Sequence, residues 1–117
     1  MNENISYKNR LTRPCIFIVS NPHGRTLEQR RDDNAKAIAK AKEYFDGMPI
    51  DVIGTCGSSP SEYTKSVEMR EFSDLLRTIS KASAVVFVYD WYASKKCSLI
   101  HECCDYFDRP MLYVEEQ

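Results

Sequence analysis

Four short runs of apolar residues alternate along the chain with three longer segments in which apolar residues recur at helical spacing. The runs are rich in β-branched and aromatic residues and carry no regular polar alternation. This pattern is typical of strands that are buried on both faces of a sheet. The four predicted strands span residues 14–20, 49–55, 82–89 and 111–115.

The three segments between the runs carry helix signals. Thr26 and Gln29 have capping-box spacing and Gly47 is a stop signal, so a helix is predicted over 27–46. Its apolar positions at helical spacing are Ala35, Ile38, Ala39 and Phe45. A second helix follows Ser66, with an apolar stripe of Met69, Phe72, Leu75, Leu76 and Ile79. Ser94 can cap a third helix over about 95–107, which Arg109-Pro110 ends.

The alternation of strands and helices predicts an α/β fold with a doubly wound parallel sheet of four to five strands. We expect a single domain over 14–117, preceded by a flexible N-terminal arm over 1–13. Ligands of such sheets bind beyond the carboxyl ends of the strands, where the strand order reverses. The loops at 20–26, 55–66 and 90–96 are therefore expected to surround one pocket.

Composition narrows the choice of partners and compartment. With 16 basic and 17 acidic residues, the chain has no general attraction to nucleic acid polymers or acidic membranes. No apolar stretch approaches the roughly 20 residues that span a bilayer, and the polar start is not a signal peptide, so we expect a cytoplasmic protein. The five cysteines form no regular framework and are expected to be reduced thiols.

Three cysteines and a histidine in "DWYASKKCSLIHECC" (90–104) raise the question of a metal site or a nucleophile. Cys97, His101 and Cys104 share one helical face, but a single helix cannot complete a tetrahedral site and no second ligand pair is present. We therefore expect no metal and no other cofactor. Cys97 lies in the first helical turn, where a thiolate is favoured, but the sequence offers it no base. Packing of Cys97 and Cys104 against the sheet is the simpler interpretation.

Two turns have the character of anion-binding sites. "SNPHGRT" (20–26) leads from a strand into a helix N-terminus, where His23 could contact a base or phosphate and Arg25 could pair with an anion. The alternative is a plain turn in which Gly24 has a positive φ. Ser94 lies beside free backbone N–H groups and the pair Trp91-Tyr92, which suits a phosphate and a base. A purely structural N-cap is the alternative for Ser94.

The segment "SKASAVVFVYDWYASKKCSLIHECCDYFDRPMLYVE" resembles the C-terminal half of small nucleoside 2-deoxyribosyltransferase-like proteins. Asp90-Trp91, Ser94-Lys95 and Cys97 match the family pattern, and the likeness extends over roughly 14–115. The resemblance implies a flavodoxin-like, Rossmann-like fold. It also implies cleavage or transfer of the N-glycosidic bond of deoxynucleosides or their monophosphates, by a nucleophilic Glu, an assisting acid and a sugar- or phosphate-binding serine.

The chain departs from that pattern at two positions. Ile100 stands where the family has its nucleophilic Glu, and Lys96 stands where it has a glycine. Glu71 matches the assisting acid, whereas Glu102 is rotated by about 200° from position 100 on a helix. If the protein were an active hydrolase, Glu71 and Glu102 would be its catalytic candidates.

These residues predict a nucleotide- or nucleotide-derivative-binding protein without N-glycosidase activity, which sequesters or senses its ligand. The alternatives are an active N-glycosidase or deoxyribosyltransferase, and a protein-interaction module with a vestigial pocket. A homodimer or larger homo-oligomer is expected, with Trp91-Tyr92 as an exposed apolar contact. The predicted ligand-binding residues are Ser20, Asn21, His23, Gly24, Arg25, Asp90, Trp91, Ser94 and Lys96.

Overall fold

The four predicted strands pair into one sheet. The computed structural model describes residues 13–21, 23–56 and 64–114. The strands are β1 (Cys15–Val19), β2 (Asp51–Thr55), β3 (Ala84–Phe87) and β4 (Met111–Tyr113). Their order in the sheet is β2-β1-β3-β4 and every neighbouring pair is parallel. This confirms the predicted α/β, doubly wound, flavodoxin-like fold in a single domain; the predicted arm lies outside the described residues except for Arg13.

Three α-helices connect the strands, and the side chain of a hydroxyl residue caps the N-terminus of each. Thr26 and Gln29 form the predicted capping box, and Ser94 is the N-cap of the last helix. Gly47, which follows the end of the first helix, has a positive φ of 79°. Of the helices in the described part of the chain, none is both long and apolar enough to cross a lipid bilayer. The helices are α1 (Leu27–Tyr44), α2 (Lys65–Ile79) and α3 (Lys95–Tyr106).

The helices cover opposite faces of the sheet. Helix α1 packs on one face through Ala37 and Ala41, against Ile16, Ile18 and Val86. Helices α2 and α3 pack on the other face, where the core contains Phe17, Phe87 and Ile100 among others. Chain connections leave β1 and β3 in opposite directions, so the reversal of strand order lies between these two strands. Their carboxyl ends are where a ligand is expected in such a sheet.

The predicted apolar stripe of α1 is partly wrong. Ala35 and Ala39 are exposed, while Asp33, Ala37 and Ala41 face the sheet. Alanines occur on both sides of this helix, so their spacing does not single out the buried face.

Two further predictions of burial are corrected at the rim of the fold. Met69, a member of the predicted apolar stripe of α2, is 75% exposed. The edge strand β2 is mostly exposed, including Val52 and Ile53, because it pairs only with β1. Burial on both faces of the sheet is therefore limited to the central strands β1 and β3, whose residues are nearly all buried.

Candidate functional site

The loops that follow β1 and β3 are joined by hydrogen bonds at the reversal of strand order. The buried Asn21 donates from Nδ2 to the backbone oxygen of Asp90 (3.3 Å) and to its Oδ2 (3.4 Å). Its Oδ1 accepts from the backbone N–H of His23 (3.1 Å). Asp90 has a left-handed backbone, with φ of 73°, which asparagine and aspartate tolerate better than most residues. Asn21 and Asp90, both predicted to bind ligand, therefore contact each other.

In the turn after β1, which is predicted to bind an anion, the cation Arg25 pairs with a carboxylate of the protein itself. Arg25 makes a two-pronged ion pair with Asp33, with Nη2 at 2.6 Å from Oδ1 and Nε at 3.0 Å from Oδ2. Asp33 belongs to α1 and is almost fully buried. Gly24 has the predicted positive φ of 76°, and His23 is exposed. The ion pair directs the Arg25 guanidinium toward α1.

Ser94 is placed by the two elements that it joins. A single 3₁₀ turn over Trp91–Ala93 brings the chain from β3 to the start of α3. The Ser94 hydroxyl then accepts from the backbone N–H of Cys97 (3.2 Å). Cys97 in turn lies against the end of β1, with Sγ at 3.5 Å from the backbone oxygen of Ser20. The structural role of Ser94 as N-cap is thus confirmed, while its predicted role in ligand binding stays a prediction.

A groove of about 530 Å³ lies between the N-terminal halves of α2 and α3. It opens at the carboxyl end of the sheet, where these helices begin. One part of its wall is apolar and the other carries three lysines and a carboxylate that lies 3.4 Å from the Lys65 ammonium. The lining residues are Lys65, Glu68, Met69, Phe72, Lys95, Lys96 and Leu99.

Only some of the predicted ligand-binding residues lie in or next to the groove. Lys96 lines it, and Ser94 directly precedes its two α3 lysines. The described residues of the turn after β1, from Ser20 to Arg25, do not contribute to its lining. The predicted loop at 55–66 lies partly outside the described residues.

The carboxylates predicted for catalysis lie outside the groove. Glu71 and Glu102 are exposed on α2 and α3, and neither lines it. The carboxylate in the groove wall is Glu68, one turn before Glu71 on α2. Sequence reasoning missed Glu68 because the family pattern pointed to Glu71. It also missed Lys65 and Lys95, whose signal was their position in the first turns of two helices that begin at the same edge of the sheet.

Position 100, where the family resemblance places a nucleophile, belongs to the protein interior. Ile100 has no exposed surface and packs in the core with Phe87, Cys97 and Cys104. A side chain in this position points between α3 and the sheet rather than into the groove.

His101 belongs to an aromatic cluster near β4. Its ring stacks on Trp91 with centroids 4.4 Å apart, and its Nε2 is 2.6 Å from the Tyr113 hydroxyl. Cys97 and Cys104 instead point into the core. Within the described ranges, no group of three His, Cys, Asp or Glu residues could hold a metal ion. All five cysteines are free thiols in the structure.

Comparison of the chain with protein-family models, with curated proteins and with solved structures finds no match. The resemblance to nucleoside 2-deoxyribosyltransferase-like proteins therefore depends on the sequence motifs around Asp90, Ser94 and Cys97. The candidate site is defined by its own geometry: a cationic groove at the carboxyl edge of a doubly wound sheet.

Proposed function

We propose that the chain binds a nucleotide or nucleotide derivative in the groove between α2 and α3, and that it does not cleave the N-glycosidic bond. The observation that carries this proposal is the lining of the groove. Among the described residues that line the groove there are three lysines, Lys65, Lys95 and Lys96, and one carboxylate, Glu68. Cations therefore outnumber anions in this described lining although the whole chain has a net charge of -1. A local cationic surface on a nearly neutral protein attracts an anionic ligand.

The form of the groove supports a ligand with both charged and apolar parts. Its volume of about 530 Å³ falls within the ~300–1,000 Å³ of small-molecule sites. Helices α2 and α3 both present their N-termini at this edge, and the partial positive charge of a helix N-terminus favours phosphate. Phe72 and Leu99 supply an apolar wall for a base or sugar. Sequestering or sensing such a ligand in the cytoplasm requires no further chemistry.

The buried Ile100 supports the second half of the proposal. Covalent glycosyl transfer needs a carboxylate that can reach the sugar carbon, and the corresponding position holds an apolar side chain in the core. The exposed Glu71 and Glu102 lie away from the groove lining. The alternative function, an N-glycosidase, finds support in Glu68, the carboxylate of the groove wall. A protein-interaction module with a vestigial pocket is the third possibility.

Ser94→Ala should weaken nucleotide binding roughly ten- to a hundredfold. The serine hydroxyl is proposed to donate to a phosphate, and a hydrogen bond to a charged group is worth about 1.5–3 kcal/mol. Isothermal titration calorimetry with the deoxynucleoside 5′-monophosphates measures this change. Unchanged affinity would contradict the proposed contact.

Loss of the α3 cap must be separated from loss of the ligand contact. Ser94→Ala removes an N-cap, which costs about 0.5–2 kcal/mol of stability. Thr26→Ala removes the equivalent cap of α1, away from the groove, and should leave nucleotide affinity unchanged. Ser94→Asp keeps a good N-cap but adds a negative charge, so it should retain α3 and lose binding.

The expected homo-oligomer stays a prediction. Tyr92 is 59% exposed. Trp91 is only partly exposed because it stacks on His101, so the two residues do not form a continuous exposed pair.

A further inference from the structure

Two cysteines that are distant in sequence meet beside the proposed nucleotide groove. Cys56 directly follows β2, and its backbone N–H donates to the backbone oxygen of Ile18 (2.9 Å). Cys97 lies in the first turn of α3. Both side chains are buried in the same core cluster, at 3% and 0% exposure. Their side chains are hydrogen-bonded to each other.

The surroundings of the two thiols make them chemically unequal. The hydrogen bond from Cys56 is the largest influence on Cys97; together with the Ser94 hydroxyl and the Lys96 ammonium it lowers the Cys97 pKa to about 7, against the opposing effect of burial. The pKa of Cys56 is raised, first by its hydrogen bond to Cys97 and then by burial. Cys97 is thus the thiol that ionises near neutral pH, and Cys56 is the one that keeps its proton.

We propose that Cys56 and Cys97 are a redox pair, which hydrogen peroxide converts into a reversible disulfide between the end of β2 and the first turn of α3. A nucleophilic thiolate with a second thiol in contact is the arrangement that redox-sensing cysteines use. Both thiols are almost fully buried, so the proposal requires that peroxide, a small molecule, reaches them in the folded protein. The inference does not depend on the ligand of the neighbouring groove.

The reaction is balanced with peroxide as the two-electron oxidant. The Cys97 thiolate attacks one peroxide oxygen, an S–O bond forms, the O–O bond breaks, and hydroxide leaves and takes up the proton that Cys97 had lost. The sulfur of Cys56 then attacks the Cys97 sulfenic acid, and the S–O bond breaks as the S–S bond forms. The Cys56 proton goes to the departing hydroxyl. Two thiols and one peroxide thus give one disulfide and two waters.

The test is non-reducing peptide mapping of the folded wild-type protein after treatment with hydrogen peroxide. A peptide joining Cys56 to Cys97 is expected, with the number of free thiols falling from five to three and returning to five with dithiothreitol. The reaction should be slower below the Cys97 pKa of about 7 than above it, because the thiolate is the nucleophile.

Matched variants identify the pair. Cys97→Ser or Cys56→Ser should abolish the disulfide, while Cys15→Ser and Cys103→Ser should leave it intact. The proposal is overturned if the folded wild-type protein keeps five thiols, if another pair of cysteines is joined instead, or if the Cys56–Cys97 peptide forms only after unfolding in urea. Because mapping of the wild-type protein decides these outcomes, poor folding of a variant does not obscure them.

Discussion

Ile100→Glu is expected to destabilise the protein by several kcal/mol and to restore no glycosidase activity. The isoleucine side chain is fully buried between α3 and the sheet. A carboxylate placed there has no described partner in the surrounding apolar cluster, and an unpaired buried ion carries an effective penalty of several kcal/mol. A loss of this size is a large fraction of the roughly 5–15 kcal/mol that stabilises a typical domain.

Urea unfolding measures the effect, and two variants control for it. Ile100→Val should cost only about 0.5–1.5 kcal/mol, because it removes one buried methylene. Leu99→Glu adds the same charge to the neighbouring, half-exposed position and should stay within about 0.5 kcal/mol. A loss for Ile100→Glu no greater than that for Leu99→Glu would mean that position 100 opens to a pocket.

The Ile100→Glu effect should also depend on pH in a defined direction. Burial disfavours the charged carboxylate and raises the pKa of the introduced glutamate above the ordinary value of about 4.3. At a pH between the pKa of this glutamate in the unfolded protein and its higher pKa in the folded protein, unfolding releases a proton. The variant therefore loses stability as the pH rises through that range. Acidification toward pH about 4 should narrow its difference from wild type.

Arg25→Ala is expected to cost about 3–5 kcal/mol of stability, the range for removing one partner of a buried ion pair. The Asp33 side chain is only 4% exposed and would lose the guanidinium that now binds both of its oxygens. The lower part of the range is favoured because Arg25 is 17% exposed. Chemical unfolding measures the loss, with the exposed Arg30→Ala as the matched control.

The same variant separates a structural Arg25 from a ligand-binding one. If Arg25 served mainly as a cation for an anionic ligand, Arg25→Ala would lower nucleotide affinity and leave stability within about 1 kcal/mol of wild type. Arg25→Ala/Asp33→Ala removes both charges and should recover part of the lost stability, because the uncompensated buried carboxylate is then gone. Equal stability losses for the single and the double variant would contradict this interpretation.

The fold could be predicted because its elements carry strong local signals. Strand β3 is buried throughout, and the Thr26 and Ser94 caps lie where hydroxyl residues precede helical patterns. Boundaries were less accurate: the strand predicted over 82–89 spans only Ala84–Phe87. Apolar character continues beyond the assigned strand, as in the buried Val88, so it does not mark where the strand ends.

The site could be predicted only in part, because side-chain partners across the fold leave little trace in sequence. In the sequence, Asp33 is one of several acidic residues on a polar helix, yet in the fold its buried side chain binds Arg25. Asn21 is likewise predicted from the sequence to contact a ligand, whereas in the structure its side chain donates hydrogen bonds to Asp90. The spacing of residues along one helix predicts which of them lie on the same face. Contacts between side chains of different segments depend instead on how those segments come together in the fold. The groove lysines follow the rule that parallel strands and their helices share one functional edge.

Whether the groove between α2 and α3 holds an intact nucleotide is tested most directly by chromatography and mass spectrometry of the small molecules released from the protein after incubation with deoxynucleoside monophosphates. The wild-type protein should release intact nucleotide, and Lys95→Glu/Lys96→Glu should release almost none. Lys36→Glu/Lys40→Glu, which makes the same charge change on α1, should behave as wild type. Free base from the wild-type protein, or equal nucleotide from both double variants, would contradict the proposed binding without cleavage.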